Sequence, residues 1–438
     1  MNRASKTAIG LAAAVSLALA GCSSGTEGPE AEPFPTGPVT IRMATWSLAT
    51  TPEFQTLKEG FEALYPNVTV ELVEYDAAEY DTQMIADLTA GTAPDIYVQK
   101  NLKNFYTYQS GGQLLDVSDV AAKLPAGTNA SMYEVDGKVY AVPYRQDSWV
   151  LFYNKDLFDA AGVEYPDGTW TWDDYAEAAK TISANLKAKD PNSTVYGTYQ
   201  HRWQSTVQGF ALAQSPGADL ASGQYDWLKP YYERVVDIQA SGSQVDHGTS
   251  QTLNLTYQAQ FGKQQAAMLP MGTWYVATLL AQRKSGDADE FNWGIAPAPQ
   301  YDSSTAGLDK VPVTFGDPTG LGINPAISDG AKLTVAKAFL EYAAGIEAGK
   351  ALAGIGITPA NTSDEVAAIY FALEGVPTDE LSKFAWSKHD TRPENPVFEH
   401  TATIQNILND LHTEVMTGSA SIDDAIAAAE QRVANEVL

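Results

Sequence analysis

Short apolar runs alternate with helically spaced apolar positions in the first hundred residues of the chain. The run Val39–Trp46 is almost continuously apolar, which is typical of a strand buried on both faces of a mostly parallel sheet. Helical spacing follows over residues 54–64, then a second strand at Val68–Tyr75, a second helix that ends at Gly91 and a third strand over residues 95–99. This order of elements predicts an open α/β sheet, in which ligands bind beyond the carboxyl ends of the strands.

The later pattern predicts that the chain leaves this sheet and returns to it. Residues 138–158 contain two extended stretches on either side of residues 145–147, which we interpret as a crossing into a second lobe. The strand-like segments 293–300 and 316–327 are separated by a polar loop and indicate the return. Two helices with regularly spaced apolar positions, through Ile404 and Ile422, end the chain.

The length of the chain supports this division. About 400 residues follow the N-terminal segment, which is too many for one compact core and typical of two lobes. We expect the first lobe to comprise residues 39–144 plus 316–345 and the second to comprise residues 145–315 plus 346–438.

The N-terminal segment carries targeting signals. Arg3 and Lys6 precede an uncharged apolar run over residues 8–20, which is too short to span a bilayer and predicts a secretion signal over residues 1–21. The run ends in Leu-Ala-Gly-Cys, which resembles the lipobox of bacterial lipoproteins, and Cys22 has no second cysteine with which to form a disulfide. We therefore expect acylation of Cys22, a flexible tether over residues 22–38 that is rich in Ser, Gly, Pro and Glu, and a protein anchored to the outer face of the cytoplasmic membrane.

Charge and motifs exclude several classes of function. The chain has 54 acidic and 27 basic residues, and its net charge of −27 would repel the phosphate backbone of a nucleic acid. The five histidines show no zinc-type spacing, and the sequence contains no Gly-x-Ser-x-Gly elbow, phosphate-binding loop or dinucleotide fingerprint. We therefore predict no metal site, no cofactor and no nucleic-acid partner.

Several segments, in this order along the chain, carry a family resemblance. They include residues 90–98 (AGTAPDIYV), the run from VYAVPY to LFYNKDLF, residues 261–274 (FGKQQAAMLPMGTW) and the GLGIN turn. With them the sequence resembles the extracellular solute-binding proteins of bacterial ABC importers, in the group of maltose-type carbohydrate receptors. The resemblance implies a monomeric α/β protein of two hinged lobes, each an open, mostly parallel sheet flanked by helices, with the ligand in the cleft between the lobes and a membrane permease as partner.

A carbohydrate cleft needs flat aromatic surfaces together with groups that form paired hydrogen bonds. We expect the aromatic surfaces from Trp46, Trp203 and Trp274. The polar candidates lie at predicted strand ends, at the first crossing, at the return and near the C-terminus, and they are Ser47, Gln99, Arg145, Gln146, Asp147, Asp317 and Arg392.

Two alternatives remain open at this point. The same fold could bind a polyol, a polyamine or a peptide, although the net charge favours neutral or cationic ligands. A secreted polysaccharide hydrolase would also need an aromatic cleft and a pair of carboxylates, and with 54 acidic residues some pair will always be found.

Overall fold

The computed structural model describes residues 33–49 and 51–437. The predicted secretion signal, Cys22 and most of the predicted tether lie outside the described residues. Within the described part of the chain, no helix is both long and apolar enough to cross a bilayer.

The chain first builds one α/β unit, as the pattern predicts. Its elements are β1 (Val39–Trp46), α1 (Glu53–Leu64), β2 (Val68–Tyr75), α2 (Tyr80–Ala90), β3 (Ile96–Gln99), α3 (Phe105–Ser110), α4 (Ser118–Ala121), β4 (Glu134–Val135), β5 (Lys138–Val139) and β6 (Val142–Gln146). Helix α2 ends at Gly91, whose φ of +73° is the left-handed conformation that closes many helices.

The second unit follows without a break. Its elements are β7 (Trp149–Asn154), α5 (Lys155–Ala161), α6 (Trp172–Lys189), α7 (Ser205–Gln214), α8 (Lys229–Ala240), α9 (His247–Thr252), α10 (Tyr257–Gly262), β8 (Met268–Gly272), α11 (Tyr275–Ser285), β9 (Trp293–Pro297) and β10 (Val313–Phe315). The remainder is β11 (Pro318–Ile323), α12 (Gly330–Ala343), α13 (Ile346–Ala353), α14 (Asp364–Phe371), α15 (Glu380–Ser387), β12 (Asp390–Arg392), α16 (Thr401–Thr417) and α17 (Ile422–Glu436).

The two main sheets differ in strand direction. The first has the order β2-β1-β3-β11-β6, in which β1 pairs in parallel with β2 and β3, and β11 runs antiparallel to both of its neighbours. The second has the order β8-β7-β9 and is wholly antiparallel, so the expectation of a mostly parallel sheet does not hold in this lobe. Long segments that contain helices connect its strands, and the central strand β7 is antiparallel to both of its neighbours.

Two hydrophobic cores correspond to two lobes. One core runs from Ile41 to Tyr144 and takes in Leu321 to Ala344, whereas the other begins at Trp149 and includes Phe315. Helix α13 differs from the expected division, because Ala348 and Leu352 pack in the first core although the sequence assigns residues after 345 to the second lobe. The apolar face of α13 lies against α1, which explains why it remains with the first lobe.

The last residues of the predicted tether are also ordered. The ring of Phe34 stacks on Tyr65 with 4.3 Å between centroids, and the side-chain amide of Asn67 donates to the carbonyls of Pro35 and Gly37 at 3.0 and 2.9 Å. A tether extending to residue 38 is therefore too long by several residues, because Phe34 supplies the apolar contact that its Pro- and Gly-rich neighbours lack.

Candidate ligand cleft

Three chain segments lie side by side where the lobes join. Thr319 of β11 pairs with Arg145 of β6, and the amide of Gln146 donates to the Thr358 carbonyl at 3.2 Å. At Gly316 two of these segments pack backbone against backbone, since a Cβ at this position would lie 2.2 Å from the carbonyl oxygen of Asp147. The junction is therefore a set of backbone-paired strands.

Arg145 is the centre of a charged network at this junction. Its Nη1 donates to both carboxylate oxygens of Glu53 at 2.6 and 2.8 Å, and its Nη2 donates to the Thr319 hydroxyl at 3.2 Å. Its Nε lies 2.8 Å from Asp147 Oδ2 as an ion pair without hydrogen-bond alignment. Burial alone would lower the pKa of Arg145, but the two carboxylates outweigh it and raise the pKa. The side chain of Arg145 is 13% exposed.

Asp147 connects this network to the second lobe. Burial raises the pKa of Asp147, while Arg145 and the Thr273 hydroxyl, which donates to its Oδ1 at 2.9 Å, act in the opposite direction. The amide of Thr273 also donates to the Ser148 carbonyl at 3.0 Å. These bonds bring the end of β8, and with it Trp274, next to the crossing.

The side chain of Trp274 is half-buried and packs against the backbone of Gly272. A Cβ at Gly272 would be 1.8 Å from the indole ring, so only glycine leaves space for this orientation. Trp149 packs edge-on with 5.5 Å between centroids, and the indole N–H donates to the Tyr257 hydroxyl at 3.3 Å. The ring is thus fixed on two sides by the second lobe.

Tyr257 and Trp203 continue the aromatic surface away from the junction. The Trp203 ring is 5.7 Å from Tyr257 and has the ring of His201 edge-on at 4.4 Å. Burial raises the pKa of Tyr257, and the nearby charges of Arg145 and Asp147 act on it in opposite directions. Sequence reasoning missed Tyr257 because nothing distinguishes it from the other 21 tyrosines.

Trp46 occupies a different environment from the one expected. It is only 7% exposed, with Phe54 and Tyr80 packed edge-on at 5.0 and 5.1 Å. The ammonium of Lys100 lies over the ring at 5.3 Å, where cation–π attraction holds it. Trp46 is therefore a core residue of the first lobe and presents no open face. The next residue, Ser47, has a φ of +48° and accepts the Thr51 amide on its carbonyl at 2.9 Å.

Gln99 and Gln146 lie at strand ends as expected, but with different surroundings. Gln99 is buried, and neither polar atom of its side chain has a partner among the described residues. Gln146 is half-buried, and its side-chain amide donates to the neighbouring Asp147 carbonyl at 3.3 Å.

Asp317 acts as a cross-link and not as a free ligand group. Its carboxylate accepts from the Leu102 amide of the first lobe at 3.1 Å and, on the other side, from the Glu394 and Asn395 amides at 2.9 and 3.2 Å and the Asn395 side chain at 2.6 Å. These four bonds occupy both oxygens, so the structure differs here from the expectation of a group facing the ligand. Burial raises the pKa of Asp317.

The side chain of Arg392 bonds to groups outside the Arg145 network, although its carbonyl accepts from the Gly316 amide at 3.0 Å. Its side chain is about half exposed, pairs with Asp390 at 3.2 Å and donates to the Ala213 carbonyl at 2.6 Å. Arg392 ends β12, which pairs in parallel with β10.

Sequence reasoning missed Glu394 and Lys103, whose charges act on each other across the lobes. Burial, followed by the nearby Asp317 carboxylate, raises the pKa of Glu394 to about 7, and the Ser205 hydroxyl donates to it. Lys103, from the turn after β3, donates to the Asn406 side chain of α16 at 2.7 Å. Burial lowers the pKa of Lys103, and the field of Glu394 opposes this change.

A small polar cavity lies behind Trp203 in the second lobe. Its lining includes His201, His247 and His412, and it has room for about one water molecule. Burial lowers the pKa of His201 to about 4 and that of His412 to about 3, so both are neutral at pH 7. In residues 33–49 and 51–437, no group of three His, Cys, Asp or Glu side chains is arranged to hold a metal ion.

Known proteins resemble this chain in sequence and in fold. A profile of the family described as bacterial extracellular solute-binding protein matches residues 45–350, more than half of the chain. An uncharacterized lipoprotein of Streptomyces antibioticus is 26% identical over 314 residues, which are 67% of this chain and 65% of the relative, so the match spans about two thirds of the relative's length. The melibiose/raffinose/stachyose-binding protein of Bacillus subtilis is 23% identical over 41% of this chain and 42% of its own.

Solved structures share the architecture of both lobes. A sugar transporter from Rhizobium etli, in an open conformation, has a TM-score of 0.74 and 31% identity over 90% of this chain and 99% of its own. An ABC substrate-binding protein from Listeria monocytogenes, in complex with cycloalternan, has a TM-score of 0.75 over 91% of this chain and 98% of its own, and at 22% identity it shows the fold alone.

Proposed function

Because the chain belongs to the family of bacterial extracellular solute-binding proteins, we propose that it captures a neutral carbohydrate between its lobes for an ABC importer. One observation carries the proposal, namely that Trp274, Tyr257 and Trp203 form an aromatic surface, and that Trp274 follows Thr273, whose hydroxyl donates to Asp147 of the charged network. The relatives whose names specify sugars support the same ligand class.

The chemistry of this surface suits a sugar. A pyranose or furanose ring has an apolar C–H face that packs on an indole, and its hydroxyl rim needs donors and acceptors at fixed positions. Arg145 and Asp147 supply one of each where the aromatic surface meets the junction. The single guanidinium is already opposed by two carboxylates, Glu53 and Asp147, so the network has no spare positive charge for a phosphorylated or acidic ligand.

Binding is proposed to stabilise a closed arrangement of the lobes. A ligand can shift the arrangement only if it contacts the closed state better than the open state, so both lobes must contribute. The second lobe contributes the aromatic surface, and the first contributes Arg145, which Glu53 and Thr319 hold in place. A membrane permease then receives the ligand.

The location proposed for the protein is the outer face of the cytoplasmic membrane, with Cys22 acylated and the protein a monomer. The sequence before residue 23 supports the anchor, and one relative is named as a lipoprotein. A polyol, polyamine or peptide remains an alternative ligand, and a neighbour of the same fold carries D-mannitol in its structure.

We do not propose hydrolysis of the ligand. The best carboxylate pair for a hydrolase would be Glu394, with a pKa of about 7, beside Asp317. However, Asp317 is held by four hydrogen bonds from the protein and has no free oxygen for attack on a sugar. Binding without turnover is the expected outcome with every glycan.

A thermal-shift screen of the soluble protein that starts at Ser23, without the acylated Cys22, tests the proposal. Its panel contains mono-, di- and oligosaccharides, with polyols, polyamines, peptides and polyol phosphates as other classes. A ligand at one hundred times its dissociation constant adds about 2.7 kcal/mol to the free energy of unfolding, which is easily detected. A response to sugars that Trp274→Ala abolishes supports the proposal, whereas a response confined to another class contradicts it.

A further inference from the structure

The small polar cavity of the second lobe lies where three parts of that lobe meet. It is lined by residues of the loop that leads into α7, by α8, α9 and the turn between them, and by α16. Its lining contains no carboxylate among the described residues, whereas the positively charged Arg202 contributes to it. An occupant of this cavity must therefore be about the size of one water molecule, and the charge of Arg202 opposes a cation.

The hydrogen bonds around Tyr232 determine which nitrogen of His412 carries the proton. The side-chain amide of Gln208 donates its two hydrogens to the Leu408 carbonyl and to the Tyr232 hydroxyl, each at 2.7 Å. The Tyr232 hydroxyl thus accepts from Gln208 and donates its own hydrogen to Nδ1 of His412 at 3.0 Å. Because burial lowers the pKa of His412 to about 3, the ring is neutral at pH 7. It follows that Nε2 carries the only ring proton and is a donor.

Three residues that line the cavity each carry a buried polar atom with no hydrogen-bond partner among the described residues. These atoms are Nε2 of His412 and the side-chain oxygens of Gln244 and Gln200. His412 is 1% exposed and Gln244 is 4% exposed, so bulk water does not reach these atoms freely. Burial lowers the pKa of His412, and the nearby Arg202 carbonyl opposes this change without the alignment of a hydrogen bond. One donor and two acceptors therefore remain at one small cavity, at a cost to stability unless they are satisfied.

We infer that the cavity binds one structural water molecule, which accepts from Nε2 of His412 and donates to the side-chain oxygens of Gln244 and Gln200. Water satisfies one donor and two acceptors at once, because it has two hydrogens and can also accept. An anion has no hydrogen for the two glutamine oxygens, and neither a metal cation nor ammonium can accept from an imidazole N–H. The water joins α16 to the loop before α7 and to the turn between α8 and α9, whichever ligand binds between the lobes.

His201 lines the same cavity and is an internal reference, because its neighbours determine the opposite tautomer. The Tyr199 hydroxyl donates its hydrogen to the Leu255 carbonyl at 3.1 Å, so it accepts from Nδ1 of His201 at 3.1 Å. Burial lowers the pKa of His201 to about 4, and the ring is neutral at pH 7. We therefore expect the proton on Nδ1 in His201 and on Nε2 in His412.

Nuclear magnetic resonance of the soluble protein from Ser23, with nitrogen-15 in its histidines, tests these assignments. The chain has only five histidines, and the signals of His412 are identified by their loss in His412→Phe. Multiple-bond spectra at pH 7 should show Nε2 protonated in His412 and Nδ1 protonated in His201. The Nε2 proton of His412 should also show a cross-relaxation peak with a long-lived water. Protonation of His412 on Nδ1, or a protonated Nε2 without the water peak, would overturn the inference.

Two glutamine variants locate the water. Gln244→Met removes one acceptor with a side chain of similar length, so the water peak of His412 should be lost. Gln282→Met is the matched control, because Gln282 also has a buried side-chain oxygen without a partner among the described residues but does not line this cavity. Its water peak should be unchanged. The thermal midpoint of each variant reports on folding, and a water peak that persists in folded Gln244→Met would contradict the site.

A high-resolution crystal structure of the wild-type protein identifies the occupant directly and depends on no variant. We expect one ordered water within hydrogen-bonding distance of Nε2 of His412 and of the Gln244 and Gln200 oxygens. A direct hydrogen bond from His412 to the Arg202 carbonyl, with the cavity closed by the glutamine side chains, would overturn the inference. An ion coordinated at the same place would also overturn it.

Discussion

Trp46 and Trp274 follow the same kind of sequence signal, yet they lie in opposite environments. Each comes at or just after the end of a strand, where an α/β fold places its ligand groups. Trp46 ends a long strand flanked by α1 and α2, so its ring enters the core and Lys100 covers its remaining face. Trp274 follows a short antiparallel strand whose last residue is Gly272, so its ring lies on backbone at the surface of the lobe. Packing on either side of a strand end, and not the strand end itself, decides whether an aromatic residue is available to a ligand.

The largest effect should come from removing the buried member of this comparison. Trp46→Ala should lower the free energy of unfolding by about 3–5 kcal/mol, because it leaves a cavity in the first core. Urea unfolding monitored by circular dichroism measures the change. Trp274→Ala is the matched variant. It should destabilise the protein less than Trp46→Ala does and weaken sugar binding more. A larger loss of stability in Trp274→Ala, with a larger loss of affinity in Trp46→Ala, would contradict the comparison.

Arg145→Met should be the next most destabilising change, by about 3 kcal/mol, because it leaves the carboxylate of Glu53 buried without its partner. Combining it with Glu53→Gln should recover part of the loss in the same unfolding assay. Arg392→Met is the control and should change stability by less than about 1 kcal/mol, since that arginine is about half exposed. Equal losses of stability in Arg145→Met and Arg392→Met would show that the charged network does not stabilise the first lobe.

Gly272→Ala tests the position of the Trp274 ring without altering the ring. The new methyl group would overlap the indole and displace it, so affinity for the bound sugar should fall about tenfold while the fold is retained. Gly37→Ala is the control, because a Cβ there meets nothing within 4 Å. Unchanged affinity in Gly272→Ala would mean that the orientation of Trp274 is unimportant for binding.

A smaller, opposing pair of effects should appear in the pH dependence of stability. Folded His201 and His412 have pKa values of about 4 and 3, below the usual 6.5, so their contribution is complete above pH 6.5 and is lost as the pH falls. The pKa of folded Glu394, about 7, is above the usual 4.5, so its contribution is complete below pH 4.5 and is lost as the pH rises through 7. Between pH 7 and pH 5 the two trends partly cancel.

Urea unfolding at pH 7, 6 and 5 separates these contributions. Glu394→Gln should make the loss of stability on acidification steeper than in the wild type, because only the histidine contribution remains. His412→Gln should make it shallower. Parallel profiles for all three proteins would refute the assignment of these groups.

Local pattern was sufficient for the first three strands and the first two helices of the first lobe. Strands β1 and β2 have the bounds that apolar continuity predicts, and β3 begins one residue later than expected. The antiparallel second sheet could not be predicted, because β7 pairs with β8 and β9 more than a hundred residues further along the chain. No local signal determines the direction of such distant partners.

The candidate site was predictable in its residue types but not in their partners. Arg145 and Asp147 stand out as charges between two apolar stretches, and they do meet at the junction. Glu53 binds Arg145 and Tyr257 binds the indole N–H of Trp274, but each is a single residue in an ordinary helix. The opposite case is Asp317, whose glycine and proline neighbours suggest an open loop although backbone amides from both lobes surround its carboxylate.

The close contact between Gly316 and the Asp147 carbonyl limits how the two lobes can move. Since no side chain lies between them, we expect the outgoing and returning crossings to bend together when the lobes reorient. Distances measured between labels on the two lobes should therefore vary together, whichever pair of positions is chosen.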